Sequence, residues 1–333
     1  MKTNMKLTGA ELGSLWYQYM SDSMLLCVLK HHLAVVEDQE IRKVLDYART
    51  LSENHLQEIQ RFMQGEAFPK PAGFTDSDVN LQAPRLFSDP FFLSYIRNMT
   101  RLSLQRYGLA LTTMARADVR KFYEECVTTA ARLSQMATEL ELSKGLYTRS
   151  PYIPIPQEVE FVTDTSFMGS LLGEQRPLLG VELDHIFVNC QSNGIGKALI
   201  TAFSQVAQST DIRDYFLQGK ELAQKQIDRF SSILISDELP APMSFDSYVT
   251  TSTVPAFSDK LMLAHIVMLN AAGIGNYGIS MSVTMRTDVV ATYARFLVQI
   301  GLYVKDGALM TINNGWAEQP PKAANRKQLV MQR

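Results

Sequence analysis

LFSDPFFLSYIRNMTRLSLQRYGLALTTMARADV, Leu86 to Val119, returns as AFSDKLMLAHIVMLNAAGIGNYGISMSVTMRTDV, Ala256 to Val289. Phe87-Ser88-Asp89 becomes Phe257-Ser258-Asp259, Tyr107-Gly108 becomes Tyr277-Gly278, and Arg116-x-Asp118-Val119 becomes Arg286-x-Asp288-Val289, each pair 170 positions apart. The chain is a duplication, so each half serves as a control for the other. The stretch reads as a helix, a tight Arg-x-Asp-Val turn and the start of a second helix. Ser88 or Ser258 is expected to cap the first and Asp118 or Asp288 the second, because a short polar side chain can take an orphan amide of the opening turn.

Working outward, the second of these helices carries Val119, Phe122, Cys126, Ala130, Leu133, Ala137 and Leu140 inward, and is expected to stop at Gly145, matched by Gly315. Toward the N-terminus, Thr8-x-x-Glu11 has capping-box spacing. It opens a helix whose face is Leu12, Trp16, Tyr19, Ser23, Cys27 and His31. Asp38, with Ser209 as its counterpart, caps the next helix. The inner stripe there is Ile41, Leu45, Ala48, Ser52, His55, Ile59 and Phe62, and in the second copy Ile212, Phe216, Gly219, Ala223, Gln226, Phe230 and Ile233. Between Gly65 and Phe87 the periodicity stops and Pro69, Pro71 and Pro84 appear, mirrored by Pro240, Pro242 and Pro255. Antiparallel neighbours need only about 2 to 8 connecting residues. A connection this long can run the roughly 40 Å length of such a helix and deliver the chain to a parallel neighbour. The fold class expected is therefore all-α: two tandem ferritin-like four-helix bundles, each with a long crossover between helices 2 and 3. The divisions are 1–150, a Pro-containing connector 151–176, and 177–333. The apolar middle of the connector, EFVTDTSFMGSLLG, is expected to pack on a bundle, and the basic tail after Pro321 to fray.

Hydrophobic residues make up 46% and charged residues 20%, globular usage, and the net charge is −2. That balance supplies no basic field for nucleic acid or an anionic membrane. No run of 18 apolar residues and no signal-peptide core appear, so the protein is expected in the cytoplasm. Cys27, Cys126 and Cys190 lack metal-ligand spacing and read as buried reduced thiols.

YIPIP (Tyr152–Pro156), APRLFSDPFFL (Ala83–Leu93), NAAGIGNYG (Asn270–Gly278) and NGWAEQPP (Asn314–Pro321) resemble a tandem-repeat family of unknown function from endospore-forming bacteria. The likeness covers essentially the whole chain. The resemblance implies a ferritin-like fold and a spore-coat-like, sporulation-linked setting, and brings no activity and no catalytic residues. It also implies a histidine where this chain has Gln226, a departure that puts histidine-dependent chemistry of the second copy in doubt.

Ferritin-like di-metal centres need inward Glu residues and two Glu-x-x-His pairs. The chain has one such pair, Glu182-x-x-His185, in the first turn of a helix, and Ser52 and Ala223 stand three before His55 and Gln226. A full di-metal site is excluded on that count. A reduced site of one imidazole and two carboxylates remains, from Asp22, His55 and Glu125, whose counterparts are Asn193, Gln226 and Arg295. No cofactor is expected; iron, manganese or zinc is the alternative that these three residues leave open. His31 and His32 are adjacent, hence about 100° apart on a helix and poorly placed to chelate one ion. His265 stands where the other copy has Tyr95. Gly273-x-Gly275-x-x-Gly278 interrupts a helical stretch instead of following a strand, and Asn193-Gly-Ile-Gly-Lys197-Ala lacks Walker spacing. Arg116 and Asp118, with Arg286 and Asp288, read as a charge and a cap at a helix junction, with a docking surface as the alternative. The functional expectation is a non-enzymatic structural or interaction protein, with a second copy of the chain or a spore-associated protein as its partner. The alternative is a metal-binding or redox protein with a degenerate ferritin-type site in the first copy.

Overall fold

The computed structural model describes residues 5–331 apart from 172 and 174, and among the described residues it holds nine α-helices and no strand. The first set is α1 (Gly9–Val35), α2 (Gln39–Gly65), α3 (Asp89–Leu111) and α4 (Ala117–Ser143). The second is α5 (Gly180–Val206), α6 (Thr210–Ser236), α7 (Asp259–Ser282) and α8 (Thr287–Asn313), followed by the short α9 (Arg326–Met331). α1, α2, α4, α5, α6 and α8 each have 27 residues, about 40 Å of helix.

Most helix ends form as the sequence predicts. Thr8 Oγ1 accepts from the Glu11 N–H at 3.2 Å while Glu11 Oε2 accepts from the Thr8 N–H at 2.7 Å. Asp38, Ser209 and Ser258 each accept from the amides of their own first turns. Two expectations fail. Ser88, the counterpart of Ser258, has a buried Oγ with no hydrogen-bond partner. Asp118 and Asp288 lie inside the first turns of α4 and α8, and the residue before α8 is Arg286. Both aspartates are held by the guanidinium forks of Arg116 and Arg286, and Asp118 also accepts the Val119 N–H at 2.9 Å. At the other ends, Gly145 (φ 67°) and Gly315 (φ 69°) adopt the left-handed conformation. The following N–H then reaches back, Leu146 to Glu141 O at 2.8 Å and Trp316 to Thr311 O at 2.9 Å. Ala67 and Glu238 do the same work after α2 and α6 without being glycine.

By packing, the chain forms two compact units. One takes the chain up to Leu81, Tyr95–Leu140 and the chain from Ala317 onward; the other takes Gln82–Ser94 and Glu141–Trp316. All four long helices of the first set feed one core in the first unit, among them Leu15, Ile59, Tyr107, Phe122 and Cys126. The second unit repeats it with Ile186, Phe230, Tyr277, Tyr293 and Phe296. Each fully buried Leu, Ile or Phe contributes roughly 1.5–3 kcal/mol. Within the second unit α5 lies against α6 and α7, and α8 against α6 and α7. There Tyr215 and Tyr303 stack with centroids 4.2 Å apart, and each hydroxyl donates to the other's backbone carbonyl at 3.0 Å. Gly219 and Gly307 make the room: a Cβ on either would stand 2.1 Å from Tyr303 Oη or 2.3 Å from Tyr215 Oη.

The straps are long, as expected, and each contains a 3-10 turn, Asp76–Asp78 and Asp246–Tyr248. The end of the first strap packs in the second unit: Phe87 pairs antiparallel with Val249, with Ser88 N–H donating to Tyr248 O and Thr250 N–H to Leu86 O. The connector packs in part. Its start is extended, with Tyr152, Ile155, Val159 and Phe161 between 77% and 85% exposed, and Pro151, Pro154 and Pro156 deny it helical amides. Its apolar middle forms a 3-10 turn, Thr165–Met168, where Arg176 Nε donates to Phe167 O at 2.7 Å and Thr287 Oγ1 to Met168 O at 3.0 Å. The tail forms α9, exposed throughout. α7 is, among the described residues, long and apolar enough to cross a membrane by length and composition, with mean hydropathy 1.2 over its best window. His265, Asn270, Asn276 and Ser280 interrupt it.

Candidate functional site

Asp22 on α1 and His55 on α2 meet inside the first unit, where the sequence places them at one height. His55 Nδ1 and Asp22 Oδ2 are 3.2 Å apart, and Ser52 Oγ donates to Asp22 Oδ1 at 3.3 Å. The two side chains are 6% and 11% exposed, so the pair is nearly sealed from water. Tyr107 and Phe122 present their rings edge-on to the imidazole at 6.0 and 5.7 Å. Burial alone would discharge His55, but the Asp22 carboxylate opposes it, helped by the Cys126 thiol, and raises the imidazole to about 10. At neutral pH His55 is an imidazolium.

Around it stand groups that the sequence did not single out. Gln18 Nε2 donates to Cys126 Sγ at 3.6 Å, while Gln18 Oε1 and the Tyr123 hydroxyl are buried without a hydrogen-bond partner. Tyr107 is pushed well above the usual phenol range by burial, reinforced by Asp22 and Cys126. Arg106 stacks over Tyr17 and donates to Ser21 Oγ at 3.4 Å. A space of about 40 Å³ opens beside Asp22, Ser52, His55 and Tyr107, room for a few water molecules and nothing the size of an organic cofactor.

Glu125 is not brought to this pair. It lies on the outer face of α4, its side chain 65% exposed, 3.8 Å from Lys121. The inner face of α4 at that level belongs to Phe122 and Cys126, and residue 125 is turned about 100° from the latter. Among the described residues no three His, Cys, Asp or Glu side chains gather closely enough to hold a metal ion.

The second unit replaces the charged pair by neutral groups at the matching positions. Asn193 Nδ2 donates to the Tyr277 hydroxyl at 2.6 Å, which donates to Gln226 Oε1 at 3.0 Å. The polar position on α2 and α6 is thus kept in both halves, but only the first can carry charge.

Glu182 and His185 do not converge. Glu182 accepts from the backbone N–H groups of Leu179, Met285 and Arg286 and from the Arg176 guanidinium, while His185 Nδ1 faces Ser280 Oγ at 3.0 Å. Burial would raise Glu182, but the Arg176 guanidinium and the three amides hold it down to about 2. Glu11 does the same in the first half, accepting from Ala115 N–H at 3.0 Å and Arg116 N–H at 2.7 Å. The capping box announces the local bonds of these carboxylates; their second job, clamping the turn between the third and fourth helices, has no local signature. Arg116 and Arg286 complete that corner by reaching Glu66 and Asp237 just after α2 and α6. Each guanidinium is thus matched by carboxylates of its own unit.

His31 and His32 are both 1% exposed, their centroids 6.3 Å apart. His265 is fully buried against Phe203, and burial lowers it to about 3, so it is neutral. The glycines from Gly273 to Gly278 lie within α7, and Lys197 within α5 bonds Asp246 Oδ2 at 2.6 Å. All three cysteines are buried.

A family described as "Protein of unknown function (DUF3231)" matches twice in tandem, over residues 1–159 and 166–329. The chain belongs to the DUF3231 family. The tandem-repeat resemblance read from YIPIP and its companion motifs is thereby borne out, and the two matches of DUF3231 fall on the two sets of four helices. No curated protein matches this DUF3231 chain. The crystal structure of a candidate spore coat protein from Bacillus halodurans C-125 aligns with TM-score 0.41 and 18% identity, over 45% of this chain and 98% of that chain.

Proposed function

We propose that this DUF3231 protein is a non-enzymatic structural or interaction protein built of two ferritin-like four-helix bundles whose metal centres have given way to closed polar contacts. One observation carries the reading. At the level where a ferritin-type site would draw its ligands, the first half has an Asp22–His55 pair satisfied by itself and Ser52, and the second half has the neutral chain Asn193–Tyr277–Gln226. A di-metal centre needs several convergent carboxylates, and Glu125, the nearest candidate for another, faces away. The sequence resemblance implies a sporulation-linked setting in an endospore former, and the apolar patterning of the sequence places our reading in the cytoplasm, with association to the spore.

The adjacency of Asp22 and His55 favours one second reading, a degenerate centre in which these two residues hold iron, manganese or zinc with water completing the shell. Elemental analysis of protein purified without chelators separates the two. The first reading expects no stoichiometric metal and no rise in Tm when each metal is added. One ion per chain, lost in Asp22→Asn and His55→Gln, would overturn it.

A further inference from the structure

The outer face of α8 carries an apolar stripe that its counterpart in the first half lacks. Val298, Leu302, Leu309 and Ile312 are 65%, 58%, 46% and 60% exposed and recur at helical spacing on one side. The matching residues of α4 are Thr128, Arg132, Glu139 and Leu142. Two helices descended from one ancestor therefore present different outer faces, one largely polar and wet, the other apolar and uncovered. Water exposure disfavours such a stripe, and contiguous exposed apolar surface marks a contact site.

The charges at its edge indicate what covers it. Arg295 and Asp306 are exposed, and neither has an ion pair among the described residues. At 100° per residue both fall on the same edge of the stripe, about 60° and 80° from Val298. They stand five residues before and six after the point midway between Val298 and Leu302. A two-fold axis through that point, running two α8 helices antiparallel, sets Val298 of one copy against Leu302 of the other and Leu309 against Ala291. It also brings each Arg295 to within about one residue's rise of the opposite Asp306. Lys305, on the stripe itself, keeps its ammonium in water by laying its methylenes along the contact. The edge of the stripe is thus complementary to its own reversed copy through Arg295 and Asp306, while Lys305 comes level with the opposite Arg295 and turns its ammonium outward.

We infer that the apolar outer face of α8 pairs with the same face of a second copy of this chain, making an antiparallel two-fold dimer sealed by Arg295–Asp306 ion pairs. The inference is independent of the metal question, so elemental analysis and the experiment below fail separately.

Sedimentation of the full chain across a concentration series tests it. The wild type is expected to be a dimer, and Leu302→Glu, at a solvent-exposed position, to raise its dissociation constant at least a hundredfold with an unchanged circular dichroism spectrum. Arg295→Glu should weaken the dimer about tenfold by setting like charges opposite one another, and the added change Asp306→Arg should restore it, which a merely apolar contact would not do. Val298→Cys with Leu302→Cys should cross-link two chains under mild oxidation. A wild type that stays monomeric at the highest concentration, a dimer indifferent to Leu302→Glu, or a monomer that instead floats with anionic phospholipid vesicles through this face would overturn the inference.

Discussion

Glu11 Oε1 accepts the backbone N–H of Arg116 at 2.7 Å, and through that bond the first turn of α1 holds the junction between α3 and α4. The same carboxylate closes its own capping box, so one side chain satisfies orphan amides at two places far apart in sequence. Removing it leaves those amides without partners, at about 1–3 kcal/mol for each that stays buried. Glu11→Ala and Glu182→Ala are each expected to lower stability by about 3 kcal/mol in urea titrations, more than the roughly 1 kcal/mol of an ordinary cap.

The same corner sets the acid limit. Glu182 is held at about 2 against a usual 4.5, and Glu11 is lowered as well. A carboxylate depressed in the folded state contributes stability that is present above the unfolded value and lost as pH falls through the folded one. Stability should therefore decline from about pH 4.5 toward pH 2, and Glu182→Gln should flatten that decline. An unchanged acid profile in Glu182→Gln would show that other groups govern it.

The Asp22–His55 pair gives the opposite slope. A histidine raised to about 10 contributes stability that is whole below the unfolded value near 6.5 and is lost as pH rises toward 10. On the order of 3 kcal/mol is expected to disappear across that interval, and His55→Gln should abolish the dependence. NMR titration of the His55 ring checks the cause directly: its shifts should stay those of an imidazolium at pH 8.

Asp22→Asn alone removes the carboxylate that keeps His55 charged, so burial discharges the imidazole and its contact with Asp22 is lost, at a cost of about 3 kcal/mol. His55→Gln added to it recreates the Asn193 and Gln226 pairing of the second half, beside a tyrosine already present as Tyr107. The double variant is expected to be at least 1 kcal/mol more stable than the Asp22→Asn single variant, a coupling that a double-mutant cycle measures.

Gly219→Ala and Gly307→Ala each drive a Cβ into a tyrosine hydroxyl at 2.1 or 2.3 Å, and neither phenol can yield without breaking its bond to the opposite backbone. A loss of 3 kcal/mol or more is expected from each. At the matching sites of the first half stand Ala48 and Ala137, with Val44 and Leu133 in place of the two tyrosines, so Ala48→Gly should cost only about 1 kcal/mol, the helix propensity difference.

The helical architecture was legible because duplication printed each signal twice. Helix faces, the capping box at Thr8, the glycines at 145 and 315 and the length of the straps all follow from local chemistry. What escaped depends on distant chain segments. Asp118 looks like a cap until the Arg116 fork is seen to claim it, and Ser88 departs from Ser258 though the flanking letters agree. The height of Asp22 and His55 could be counted along two helices, whereas the outward turn of Glu125 hangs on which neighbours crowd α4. The connector divides: three prolines govern its extended, exposed start, while its apolar middle forms a turn that Thr287 and Arg176 hold.

Phe87 and Val249 are joined by a β-bridge inside the second unit, although Phe87 comes from the earlier repeat. Severing the polypeptide at residue 176 would therefore hand the later fragment an unfinished surface, missing a piece encoded more than eighty residues upstream. Co-expressed fragments ought to re-associate, while the later one by itself ought to aggregate. A gene that arose by copying one module has produced a product whose modules are no longer interchangeable parts.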